Sequence, residues 1–267
     1  MEVEVRFRPE RCDVVCQNLE IPIREEGWVL VDRLSNECAR SSRIRNPTQL
    51  RNRKSIRLKY LCGDSQFGIQ DLDNTVMMPP QTLGTDQWFD HLVQANLAQG
   101  YDSALAVTEA VRTWISVQKV TRMLPVERTT PSLIHQLQAE GYLVSALTAR
   151  PPELHDVTVR QLASIGVRFQ QVLSIGPTQS KGDAMKTFLA TATSRISRVI
   201  FIDDKQKHVD TVNSSLNSLG GAILHTEYRY GATDNKVRAY NANVAECEWK
   251  IFEQTQTLVS DSACGGN

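Results

Sequence analysis

From Gln66 onward, short apolar runs alternate with longer amphipathic ones in this chain, and the apolar runs end on polar or acidic residues. Phe67-Gly68-Ile69 reads as a strand ending at Asp71. Thr85 caps a helix through Ala98, closed by Gly100, and Asp102 caps a second through about Lys119. Thr130-Pro131 opens a third helix that Gly141 ends, with proline at the first helical position. Tyr142–Leu147 then reads as a buried strand, Pro151-Pro152 to Gly166 as a helix, and Val172–Ser174 as a short strand. Lys181–Thr193 is helical, Arg198–Ile202 a strand, and Gln206–Leu219 helical. A last strand spans Ala222–Leu224, before one long helix from about Asn235 to Thr255. Strand and helix in this rhythm require an α/β fold, a parallel sheet covered on both faces in three Rossmann-like layers. Ligands of such sheets bind beyond the carboxyl ends of the strands.

The strand ends carry chemistry. Asp71-Leu72-Asp73-Asn74-Thr75 follows the first core strand, Thr148 the next, Lys181 starts a helix after the third, and Asp203-Asp204 follow the fourth. Several carboxylates facing one crevice repel each other unless a hard cation sits among them, and an oxygen donor set of this kind suits magnesium. Taken singly, each residue has an ordinary reading as a helix cap, a turn residue or a solvated lysine. Their agreement in type, order and position is what points to a site. A receiver domain uses the same residue types but places its lysine last, whereas here Lys181 precedes Asp203-Asp204.

These motifs resemble the four signatures of the haloacid dehalogenase (HAD) superfamily. Leu83-Gly84-Thr85-Asp86-Gln87-Trp88-Phe89, Ala146-Leu147-Thr148-Ala149-Arg150, Phe201-Ile202-Asp203-Asp204-Lys205 and Tyr228-Arg229-Tyr230 resemble one branch of it. That branch is the HAD-like family called domain of unknown function 2608, known largely from bacteria that live inside host cells. The resemblance implies a magnesium-dependent phosphatase working through an aspartyl-phosphate. Asp71 would be the nucleophile, Asp73 the general acid and base, and Thr148 and Lys181 the groups that hold the phosphoryl charge. Asp71, Asp73, Asp204 and Asp203 would serve the cation. A carboxylate at position 73 favours phosphate esters, because a departing halide needs no proton. A phosphotransferase shares the first half of this chemistry, and a non-catalytic partner-binding module is the other alternative. The substrate would be a phosphorylated small molecule or phosphoprotein.

The resemblance also implies a small helical cap over about residues 76–125, within a catalytic domain of residues 63–267. Thr75, Arg150 and Trp88 are candidate substrate contacts. Arg150 can equally pair with a neighbouring carboxylate, and Trp88, Phe89 and Trp114 can equally pack the cap onto the core.

Residues 1–62 form an extension of a different character. Val3, Val5 and Phe7 alternate with charged residues as in a short strand, and Trp28–Val31 is a second apolar stretch. A basic run from Arg40 to Lys59 follows, with no acid between Glu37 and Asp64. It lacks the interleaved aromatics that stack on bases, so a solvated leader is favoured over a nucleic-acid or lipid surface. With 30 Lys+Arg against 30 Asp+Glu, net charge selects no partner. No apolar run nears the roughly 20 residues of a transmembrane helix, and MEVEVRFRPER shows no apolar leader, so the default location is cytoplasmic, with export or delivery to a host by leaderless routes left open. The six cysteines match no zinc spacing and read as reduced thiols.

Overall fold

The computed structural model describes residues 65–192, 196–221 and 223–266. The expected N-terminal strands, the basic run and four cysteines (Cys12, Cys16, Cys38 and Cys62) lie outside them. Five parallel strands form the central sheet: β1 (Ser65–Gln70), β4 (Leu143–Thr148), β5 (Val172–Ser174), β6 (Ile196–Asp203) and β7 (Leu224–Arg229), in the order β5-β4-β1-β6-β7. Side chains alternate across the sheet. On one face Ile69, Leu147, Val199 and Phe201 pack against Met185 of α5 (Lys181–Thr191) and Val209, Val212 and Leu216 of α6 (Gln206–Asn217). On the other, Val144 and Ala146 pack against Ile134 of α3 (Thr130–Ala139) and Leu162 of α4 (His155–Ser164). This is the three-layer, Rossmann-like arrangement that the strand and helix rhythm requires.

An insertion follows β1. A two-stranded ribbon, β2 (Met77–Met78) against β3 (Leu124–Pro125), forms its root. Between them rise α1 (Asp86–Ala98) and α2 (Ser103–Gln118), capped by the Thr85 and Asp102 side chains as the sequence requires. Their apolar faces, with Trp88, Trp114 and Val117, bury against Leu154 and Val157 of the core and Ala245 and Phe252 of α8 (Ala242–Thr255).

Three expectations differ from the structure. The last strand spans Leu224–Arg229 rather than Ala222–Leu224: its HTEYR run is polar because β7 is an edge strand, held by its ladder to β6. The single helix over 235–255 is two, α7 (Asp234–Arg238) and α8, because the Asn241 side chain accepts from the Asn243 and Val244 amides and starts a new helix. Cys247 and Cys264 are joined in a disulfide rather than reduced. The turn after α8 brings residues 17 apart in sequence to a Cα separation of 5.8 Å.

That bridge anchors a 3₁₀ turn, Asp261–Cys264, beside the insertion's root. Asp261 accepts from both the amide and the hydroxyl of Thr82, at 2.6 and 2.8 Å, while Glu248 of α8 accepts from the Leu83 amide at 2.7 Å. The chain entering α1 is thus held by the C-terminal segment.

One glycine sets the spacing on the opposite face. A methyl group on Gly182, in the first turn of α5, would run into the Thr211 carbonyl and the Ser215 hydroxyl of α6. Neither the helix backbone nor its neighbour can yield cheaply, so Gly182→Ala is expected to cost about 1–3 kcal/mol. Urea unfolding checks this, and an unchanged midpoint would mean that α5 and α6 do not meet this closely.

Candidate active site

Register brings the site together. Gln70 at the end of β1 stands opposite Ala146 of β4 and Ile202 of β6. One residue further on, Asp71 is therefore level with Asp203 and with the last turn of chain before Thr148. The Asp71 amide donates to the Ile202 carbonyl at 2.9 Å, which continues the ladder and pins the position. Asn74 follows with φ at 61°, in the left-handed region that asparagine tolerates, and turns the chain into β2.

Lys181 is the hinge of the electrostatics. It is 1% exposed, and its Nζ donates to Asp71 Oδ1 and Asp203 Oδ2, each at 2.6 Å. Burial pulls the amine's pKa down, but Asp71 and then Asp203 outweigh it and hold it above its ordinary value. Asp203 is further engaged by the Lys205 amide at 2.8 Å and by His208 Nδ1 at 3.3 Å. Burial presses its pKa up; Lys181 and the His208 hydrogen bond overcome it, so Asp203 titrates below the usual range. Asp71 goes the other way. Burial raises its pKa well above the ordinary value, against the pull of Lys181 and with repulsion from Asp203, Asp204 and Asp73. Asp204, which accepts from Asn74 Nδ2 at 3.4 Å, is pushed up to about 7 by burial, then by Asp86 and Asp203.

Three carboxylates and one lysine leave an excess of buried negative charge. Oxygens of Asp71, Asp203 and Asp204 lie within 4.8 Å of one another, close enough to share one metal ion. Asp71, Asp73, Thr148 and Lys181 open onto a cavity of about 80 Å³. That volume admits a phosphoryl-sized group. The Arg150 amide donates to Thr148 Oγ1 at 3.2 Å, leaving that hydroxyl's proton for a ligand.

The other candidates are placed differently. Arg150 lines the cavity but is 2% exposed and grips Asp73 in a two-pronged pair, both contacts at 2.8 Å. Of its two readings, the carboxylate pair is the one formed. Trp88 does not line the cavity; it is 2% exposed and packs on Trp249, ring centroids 5.6 Å apart. Phe89 and Trp114 form the aromatic wall instead. Thr75 is buried behind the acidic turn, outside the cavity lining.

Sequence reasoning passed over Lys205, His208 and Asp86. Lys205 Nζ pairs with Asp86 at 2.6 Å and Asp90 at 3.2 Å, both on α1, and so joins the core to the insertion at the cavity mouth. His208 was findable: it lies one helical turn beyond Asp204, on the helix that starts over the strand ends.

The sequence profile of one protein family matches residues 63–174 and 172–264. The chain belongs to that family, described as "Protein of unknown function (DUF2608)". Among its curated relatives, a Chlamydia pneumoniae protein is 23% identical over 212 residues, covering 73% of this chain and 79% of the relative. A Chlamydia trachomatis protein is 26% identical over 157 residues, covering 53% and 60%. Both of these relatives, and a third from Chlamydia muridarum, bear the name "Putative outer membrane protein". Those names overturn the cytoplasmic expectation. It rested on the missing apolar leader, and that test is blind to other routes of export. Among the described residues no helix is long and apolar enough to cross a membrane.

Among solved structures, a phospho-aspartyl intermediate analogue of phosphoserine phosphatase overlaps with a TM-score of 0.39 at 10% identity, covering 67% of this chain and 92% of that one. A class C acid phosphatase from Bacillus anthracis overlaps with a TM-score of 0.36 at 13% identity, covering 89% and 93%.

The raised carboxyls make the site's stability depend on pH. Folded Asp204 binds a proton up to about pH 7, whereas unfolded it releases it near 3.8. The metal-free fold therefore loses stability as pH climbs through that window, and Asp71 acts with the same sign. A divalent cation replaces the lost proton, so the rise in melting temperature on adding one should widen from about pH 5 to about pH 8. Calorimetry checks this, and a flat difference would mean that these carboxyls do not meet the ion.

Proposed function

We propose that this DUF2608 chain is a magnesium-dependent phosphohydrolase of the HAD type, with Asp71 as the nucleophile. The observation that carries the reading is the buried Lys181, which touches Asp71 and Asp203 together and, with Asp71, Asp73 and Thr148, lines a cavity that admits a phosphoryl group. A lysine so placed orients the attacking oxygen and offers positive charge to the phosphoryl oxygens as they arrive.

The donor set fits magnesium, being hard, oxygen-only and in excess of the local cation charge. Asp71 and Asp204 would hold the ion, with the main-chain carbonyl of Asp73 and help from Asp203. Asp203 also accepts from Lys181 and the Lys205 amide and lies beside His208, so besides its help to the ion it fixes the lysine. When bound, the cation neutralises charge on the transferring phosphoryl oxygens.

The chain's own groups do the rest. In the first step an Asp71 oxygen attacks phosphorus, the bond to the ester oxygen breaks, and Asp73 gives that oxygen its proton. In the second, water attacks the phosphorus of the aspartyl-phosphate and Asp73 takes the water's proton. The bond to Asp71 then breaks, releasing inorganic phosphate. Thr148 donates its hydroxyl proton to a phosphoryl oxygen and Lys181 supports the charge throughout, because positioning and electrostatics dominate phosphoryl transfer.

The α1–α2 insertion acts as the cap, with Phe89 and Trp114 facing the leaving group. Lys205 fastens it to the core through Asp86 and Asp90. An outer-membrane or surface location fits the Cys247–Cys264 bridge, since disulfides persist in oxidising compartments.

Purified protein is expected to release phosphate from p-nitrophenyl phosphate only with magnesium present. Asp71→Asn should abolish turnover, and Lys181→Ala should lower kcat by about 10²–10³, the usual cost of one charge-stabilising donor. Normal turnover by Asp71→Asn would rule the assignment out.

A further inference from the structure

Arg150 is used up by the protein. A guanidinium has five N–H groups, and all five are engaged. Nε and Nη2 donate to the two oxygens of Asp73, each at 2.8 Å. Nη1 donates to Thr158 Oγ1 at 3.2 Å and Gln161 Oε1 at 2.6 Å, and Nη2 also donates to Gln118 Oε1 at 3.2 Å. The Trp114 ring lies against the guanidinium, 5.3 Å from Cζ to centroid. A side chain 2% exposed, with no donor to spare, is not a receptor for a substrate anion.

Its partners belong to the roots of the insertion. Gln118 ends α2, is fully buried, and donates through Nε2 to the Gly84 carbonyl at 2.6 Å, where the chain enters α1. Gln161 of α4 donates to the carbonyls of Gln118 and Thr121 at 3.0 and 2.9 Å, where the chain leaves α2. Both roots of the insertion are thereby tied to the group that grips Asp73.

We infer that Arg150 is a positioning residue: it sets the Asp73 carboxyl for proton transfer and registers it against the insertion through Gln118 and Gln161. The inference rests on the phosphatase reading above. Only a planar fork with two parallel donors can orient both carboxylate oxygens while bridging to two amides, so lysine keeps the charge and loses the function.

The test separates proton transfer from everything else. An alkyl phosphate needs a proton on its departing oxygen, whereas dinitrophenolate leaves without one. Single-turnover cleavage is measured with both substrates for wild type, Arg150→Lys, Asp73→Asn and the double variant, after circular dichroism and melting confirm folding. Arg150→Lys is expected to slow alkyl phosphate cleavage by about 10²-fold or more, the range for losing a general acid. Dinitrophenol release should fall far less, and the change should cost nothing further in the Asp73→Asn background. Gln161→Met, which touches neither Asp73 nor the cavity, should show the same selectivity in milder form and stands in if Arg150→Lys does not fold. Equal losses on both substrates, additive losses in the double variant, or a change confined to KM would overturn the inference and leave the phosphatase reading intact. Wild-type protein that cleaves neither ester would overturn both.

Discussion

Lys181 holds two buried carboxylates at 2.6 Å each, and the rest of the site is arranged around that contact. Each pair gains roughly 6 kcal/mol of attraction at an effective dielectric near 20. Removing each ion from water costs several kcal/mol, and well-packed apolar side chains often serve stability as well. The fold alone gives little reason to keep this cluster, which also strands Asp204 with a proton held to about pH 7. The proposed attack on an anionic phosphoryl group would give one: its nucleophile must be close to positive charge and away from water.

Delivering the lysine needs a close approach of helices. Gly182 follows it directly and lets α5 settle on α6, whose start at Gln206 lies just beyond Asp203-Asp204. Parallel register does the complementary job, setting the ends of β1, β4 and β6 level so that residues far apart in sequence share one floor. The C-terminal segment closes the arrangement from outside. Its disulfide holds Asp261 against Thr82, while α8 holds Leu83 through Glu248. Glu248 is itself pushed up to about 8 by burial and by the neighbouring Asp261 carboxyl, against the pull of the Leu83 amide.

What could be read in the sequence was what local chemistry decides. The caps at Thr85 and Asp102 act within three residues, so those helix starts were legible. The strand-end residues were legible because a parallel sheet aligns strand ends by necessity. β1 formed despite Gly68 and Gln70, since a central strand is held by ladders on both sides. β7 was misplaced because an edge strand can be polar throughout. That Arg150 could pair with a carboxylate was legible, but not which partners it would gather: they lie 77, 32 and 11 positions away, and only packing brings them together. That Trp88 lies outside the cavity lining was out of reach for a related reason. The helical face that buries it was legible, but not that α8 would supply the opposing Trp249.

One divalent ion is proposed to sit among these acids at the C-terminal edge of the sheet. Anomalous diffraction from crystals grown with manganese as a magnesium substitute tests it most directly. A single strong peak within bonding distance of Asp71 and Asp204, with Lys181 still on Asp71 and Asp203, is the result expected. No peak there at saturating manganese, or a peak elsewhere with this cluster unchanged, would contradict the account.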